Sequence, residues 1–162
     1  MPFNILSILL IISLFSLYLQ FFDKDTKVFQ LNKDNFNKEV IESDNLWLIL
    51  FYAPWCGHCK ALHPEFEKVA KASKGLFKIG AVNCDVEKDM ASKYKIEGFP
   101  TVLFFGDNKK ETEEYEGDRK AEKVIEYLFD KAKKITDKKL KNAKEKKEKK
   151  GKKDKKDDRS DL

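Results

Sequence analysis

Residues 46–53 are an unbroken apolar run, and Pro54-Trp55 joins it to a segment of helical periodicity that opens with Cys56 and Cys59. A strand without polar alternation belongs at the middle of a sheet covered on both faces. The segment after it places Leu62, Phe66, Val69 and Ala70 at helical spacing, with Pro64 inside as a site for a kink. The strand therefore delivers Cys56 to the first turn of a helix. Free backbone N–H groups and the positive end of the helix dipole stabilise a thiolate there. Two cysteines separated by two residues can close a disulfide ring and reopen it without moving the fold. Cys56 and Cys59 are in that sense a reversible carrier of two electrons and two protons.

The other segments fit around this unit. Residues 26–31 read as a short strand, and Asn32 or Asp34 can cap a helix over 35–42 that turns Phe36, Val40 and Ile41 inward. Residues 77–84 read as a third strand and 88–94 as a short helix. After Gly98-Phe99-Pro100-Thr101 come a strand at 102–105, a turn at 106–108 and an alternating edge strand at 112–115. Ala121, Val124, Ile125, Leu128, Phe129 and Ala132 form the apolar stripe of a final helix. The fold class is α/β, a central mixed sheet with helices on both faces.

Charge divides the chain. Residues 133–162 hold 15 Lys/Arg against 7 Asp/Glu, so the overall +5 belongs to this tail and the rest of the chain is slightly acidic. A total set by a tail gives no ground for a nucleic-acid partner. With few apolar residues after Leu140, residues 134–162 are expected to be disordered or a frayed helical extension. A solvated tail is the plain reading, and an acidic partner or anionic membrane surface the sharper one. At the other end, residues 1–22 read as a signal peptide, with an uncleaved membrane anchor as the alternative. Either sends residues 24–133, the domain, into a disulfide-permissive secretory compartment.

Trp55-Cys56-Gly57-His58-Cys59-Lys60, preceded by Phe51-Tyr52-Ala53-Pro54 and followed by Gly98-Phe99-Pro100-Thr101, resembles a catalytic domain of the protein disulfide isomerases, within the thioredoxin superfamily. The likeness covers about residues 27–133. It implies a thioredoxin fold, a cis Phe99–Pro100 bond facing the cysteines, and formation and isomerisation of disulfides in folding proteins of the endoplasmic reticulum. Cys56 is expected to attack, Cys59 to resolve, and Gly57 and His58 to tune the pair, His58 by its partial positive charge. Trp55, Phe99 and Pro100 would receive an extended client segment. Cysteine-containing, unfolded or misfolded clients are the partners implied, with an upstream thiol oxidase or glutathione as oxidant; no cofactor and no metal are called for. The end Arg159-Ser160-Asp161-Leu162 is similar to a Lys-Asp-Glu-Leu retrieval signal in its last leucine and preceding acid.

This chain also departs from the family pattern. The resemblance implies a buried acid just before Phe51-Tyr52, where Leu50 stands, and a lysine opposite it, where Ala81 stands. Arg119, in Tyr115-Glu116-Gly117-Asp118-Arg119, matches an arginine that can approach the second cysteine, although an ordinary surface arginine is the simpler reading. Other readings stay open. Cys56, His58, Cys59 and His63 crowd one helix start, which suits a closed zinc site poorly. A structural disulfide without turnover is possible, and so is a redox-tuned client-binding module or membrane-tethered adaptor. Cys84, without a partner in sequence, is expected to be a buried free thiol.

Overall fold

The computed structural model describes residues 5, 9 and 26–157. The leader expected at 1–22, apart from those two positions, and the final Arg159-Ser160-Asp161-Leu162 lie outside the described residues. In chain order the elements are β1 (Phe29–Leu31), a π-helical turn α1 (Asn37–Ile41), β2 (Trp47–Tyr52), α2 (Gly57–Ala72), β3 (Lys78–Asn83), α3 (Lys88–Lys93), β4 (Thr101–Phe105), β5 (Thr112–Glu114) and α4 (Ala121–Asp157). Their order matches the sequence pattern; four strands are shorter than expected, whereas β4 begins one residue earlier, at Thr101.

All six residues of β2 are buried, as an unbroken apolar run requires, and β2 lies at the centre of the sheet order β1-β3-β2-β4-β5. β1 and β2 pair parallel to β3, whereas β4 and β5 continue the sheet antiparallel. Successive β2 side chains point to opposite faces. Trp47, Ile49 and Phe51 join Phe36, Met90 and Phe105 in one core. Leu48, Leu50 and Tyr52 point to the other face. There Val102, the partner of Leu50 across the β2–β4 ladder, lines a cavity with Leu62 and Phe66 of α2 and Val124 of α4.

Local chemistry sets several boundaries. Asn32 closes the turn that precedes α1, although Phe36 holds the N-cap position: the Asn32 side-chain oxygen accepts from the Asp34 and Asn35 amides, each at 3.0 Å, and the Asn35 oxygen accepts the Asn32 amide in return. The Glu42 amide reaches the Asn37 carbonyl, five residues back, so this turn is wider than the α-helix expected. Gly80 lets the sheet close over Trp47, because a Cβ there would stand 2.5 Å from Leu31 Cδ1 and 3.2 Å from Trp47 Cζ3. β5 does not alternate as expected, and its three residues are all exposed. α2 keeps helical structure through Pro64.

The chain forms two compact units, Met1–Ile125 and Glu126–Leu162, whose boundary falls inside α4. That helix continues into the lysine-rich segment as far as Asp157, past the end of the apolar stripe at Ala132. No proline follows Pro100, lysine and glutamate favour helix, and pairs such as Lys134–Asp130 at 2.6 Å add support. Among the described residues, no helix is long and apolar enough to cross a membrane.

Candidate active site

β2 ends at Tyr52, and the chain turns through Ala53-Pro54-Trp55 into α2. Cys56 is the N-cap of that helix: its backbone is extended, and its sulfur accepts the Cys59 amide at 3.4 Å. On the other side the Cys56 thiol donates to the Phe99 carbonyl at 3.5 Å. The Phe99–Pro100 bond is cis, as the resemblance implied, and the Thr101 hydroxyl holds the preceding Gly98 carbonyl at 2.9 Å. The two sulfurs differ in access. Cys56 retains 8% exposure and Cys59 none, so an incoming sulfur meets Cys56. All three cysteines are free thiols.

Their acidities separate accordingly. Partial burial pushes the Cys56 thiol up, but it is outweighed by the Cys59 thiol, the Cys59 and His58 backbone amides and the Arg119 charge, and the net shift is downward. Cys59 goes the other way, pushed up to about 12 by burial first and by the neighbouring Cys56, against the Ala53 backbone and Arg119. The pair therefore contains one sulfur ready to attack and one that holds its proton. Where the sequence assigned the His58 imidazole to Cys56, the structure brings the His58 amide to bear, and its side chain is exposed. Gly57, at the first helical position, has open space where a side chain would stand. His63 lies 3.7 Å from Glu67, one turn further along α2.

Two aromatic residues flank Cys56. Trp55 is 68% exposed, yet its indole N–H is fixed on the Asp85 carboxylate at 3.1 Å, and its ring meets Phe99 edge-on at 6.1 Å. Asp85 was missed in the sequence. Its only signal is its place just beyond β3, beside Cys84, where its own amide is held by the Asn83 side chain at 3.0 Å. Cys84 is buried as expected and pushed up to about 12, with burial as the main cause. Tyr52, between the sulfurs of Cys59 and Cys84 in its electrostatic surroundings, is raised well above its usual value by burial first and then by those thiols and Asp85.

Leu50 and Ala81 are both buried, and each is the other's partner in the β2–β3 ladder. The two positions at which the resemblance implied an acid and a lysine are thus both apolar and buried. Arg119 lies in the loop before α4 and lines a cavity of about 320 Å³ with Leu62, Phe66, Pro100, Val102 and Val124. Its positive charge lowers both Cys56 and Cys59. That charge is the smallest of the influences on each sulfur, and the Arg119 side chain itself is exposed.

A strand, a cysteine-capped helix and a facing cis proline on a sheet of this order define a thioredoxin-like redox domain. Residues 27–130 match the family described as Thioredoxin, and the chain belongs to that family. It is 50% identical over 99 residues to protein disulfide-isomerase A6 of Mus musculus, a match that spans 61% of this chain and 22% of that protein. It is likewise 50% identical over 101 residues to protein disulfide isomerase-like 2-3 of Oryza sativa subsp. japonica, spanning 62% of this chain and 23% of the relative. The solution structure of the first thioredoxin domain of mouse protein disulfide-isomerase A4 matches with a TM-score of 0.59 and 31% identity, covering 67% of this chain and 77% of that one. The chain spans less than a quarter of the length of the two curated relatives.

Proposed function

We propose that this chain is a thiol–disulfide oxidoreductase that forms and rearranges disulfides in cysteine-containing clients of a secretory compartment. The observation that carries this reading is the Cys56 sulfur at the α2 N-terminus, accepting the Cys59 amide and lowered in pKa, one helical turn from a buried, protonated Cys59. In oxidation a client thiolate attacks Cys56 of the Cys56–Cys59 disulfide, and Cys59 leaves and takes a proton. A second client thiolate then attacks the client sulfur of the mixed disulfide. The client disulfide forms, Cys56 leaves as a thiolate, and two electrons have passed to the pair. A thiol oxidase or oxidised glutathione takes them up again. In isomerisation the Cys56 thiolate attacks a client disulfide and frees one client thiolate, which opens another client disulfide; the thiolate released there attacks the client sulfur bonded to Cys56, and Cys56 leaves as a thiolate with no net redox change.

In this reading Trp55, Phe99 and Pro100 receive the client, Gly57 leaves the approach open, and the His58 amide and Arg119 tune the sulfurs. Leu50 and Ala81 favour a second reading, a client-binding module or tethered adaptor that turns over slowly, because among the described residues no acid is buried to take the Cys59 proton. Refolding of scrambled ribonuclease and reduction of insulin, each beside Cys56→Ala, separate the two. Turnover abolished by Cys56→Ala supports the enzyme. Client capture without catalysis supports the module. A secretory location is supported by the apolar run within residues 1–22 and is tested by tagging the full chain and following its fractionation.

A further inference from the structure

The loop that carries Arg119 is fastened on both sides. The Tyr115 amide donates to the Val102 carbonyl of β4 at 2.8 Å, and the Tyr115 hydroxyl folds forward to donate to the Asp118 carbonyl at 2.5 Å. Asp118 in turn accepts the Lys120 amide at 3.0 Å, and the Glu65 carboxylate of α2 accepts the Ala121 amide at 2.8 Å. The fold-back of Tyr115 depends on Gly117. A Cβ there would lie 2.6 Å from the Tyr115 hydroxyl oxygen and 2.7 Å from its ring carbon Cζ, closer than real side chains approach. Tyr115, Gly117 and Arg119 line the same cavity, beside Pro100 and the Leu62 and Phe66 side chains of the helix that bears Cys59.

We propose that Tyr115 and Gly117 are positioning residues, whose latch on Asp118 fixes the loop so that Arg119 bears on the sulfurs, and that they thereby set the rate at which Cys59 resolves mixed disulfides. The inference rests on the role given to Arg119 above. The step concerned is attack of the Cys59 thiolate on Cys56 in a Cys56–client mixed disulfide. The Cys56–Cys59 bond forms, the client bond breaks, and the client leaves as a thiolate that takes a proton from solvent; the Cys59 proton has gone to solvent beforehand. The charged and titratable groups around this step are Cys56 at the α2 cap, Tyr52 at the end of β2, Arg119, and Glu114 and Glu116 on the cavity rim. With Leu50 and Ala81 apolar, Arg119 is the cationic side chain in that set, so its placement matters more here than where a buried acid assists.

The test uses the full chain loaded at Cys56 with a cysteine peptide as mixed disulfide, and follows peptide release against pH. Tyr115→Phe keeps the ring and removes the latch. Release near neutral pH is expected to slow about fivefold, the effect of losing one hydrogen bond, with the profile moved to higher pH. Gly117→Ala, which displaces the ring, should act in the same direction. In an Arg119→Ala background neither substitution should slow release further, because the two act through the same side chain. An unmoved profile in Tyr115→Phe, or equal slowing with and without Arg119, overturns the latch. If Arg119→Ala itself leaves the profile unmoved, the role of Arg119 falls as well.

Discussion

Leu50 and Ala81 face each other across the parallel β2–β3 ladder, both shut off from solvent, on the sheet face that carries Tyr52 towards Cys59. Among the described residues no carboxylate is buried, and these two positions are apolar. Leu50→Glu should speed client release at neutral pH while lowering the melting temperature, because the new carboxyl is buried opposite Ala81. The double variant Leu50→Glu/Ala81→Lys should recover part of the stability by pairing the charge. Insulin reduction and thermal unfolding measure both. Unchanged turnover in Leu50→Glu would mean that Arg119 or water already suffices.

The split between the two sulfurs should appear in alkylation. Cys56 is lowered, so iodoacetamide should modify it first and with a midpoint below the ordinary thiol range. Cys59 and Cys84, both at about 12 and buried, should resist until strongly alkaline pH. Mass spectrometry of the labelled peptides reads this directly, and equal labelling of Cys56 and Cys59 at neutral pH would contradict it.

The same shifts fix a sign for stability. Cys59 and Cys84 keep their protons in the folded state, with pKa values raised from 9.0 to about 12. Their contribution is complete below the unfolded value and is lost as pH rises through the folded one. The reduced protein should therefore lose stability between roughly pH 9 and pH 12. Closing the Cys56–Cys59 disulfide removes the share of Cys59, so the oxidised form should show a shallower decline in urea unfolding.

Trp55 is exposed but fixed by Asp85, which suggests that the ring is kept in place for a client. Asp85→Asn, which replaces a charged acceptor by a neutral one, should raise KM for a peptide client by about threefold to tenfold. Activity with a small disulfide, which does not reach the rim, should stay close to that of the parent. A fall in kcat for both substrates would argue against a role in client placement.

Gly80 offers a packing test remote from the chemistry. A Cβ 2.5 Å from Leu31 Cδ1 forces β1 or Trp47 to move, so Gly80→Ala should cost about 1–3 kcal/mol in urea unfolding. The acidity of Cys56 should not change.

The sequence was most readable where one residue type dictates one environment. The run 46–53 could only be a buried strand, and the cysteine spacing with Pro100 pointed to the site before any geometry was known. What escaped notice depends on contacts between distant segments. Nothing about Asp85 as a residue shows that Trp55 will lean on it, and Glu65 reads as one more surface acid on α2 until its oxygen meets the Ala121 amide. The π-helical turn at Asn37–Ile41 was read as ordinary helix because periodicity over five residues does not distinguish the two. His58 was legible in position but not in mode, since its side chain drew the attention that its amide earns.

Under the proposed function, unfolded clients would bring the domain strands in search of partners. β5 closes one side of the sheet with three exposed residues, two of them glutamates. Short, charged borders of this kind repel pairing with foreign strands. A client that approaches the sheet from that side finds no template along which to zip, so its lasting contact is with the reactive end, where the bond it makes can be undone.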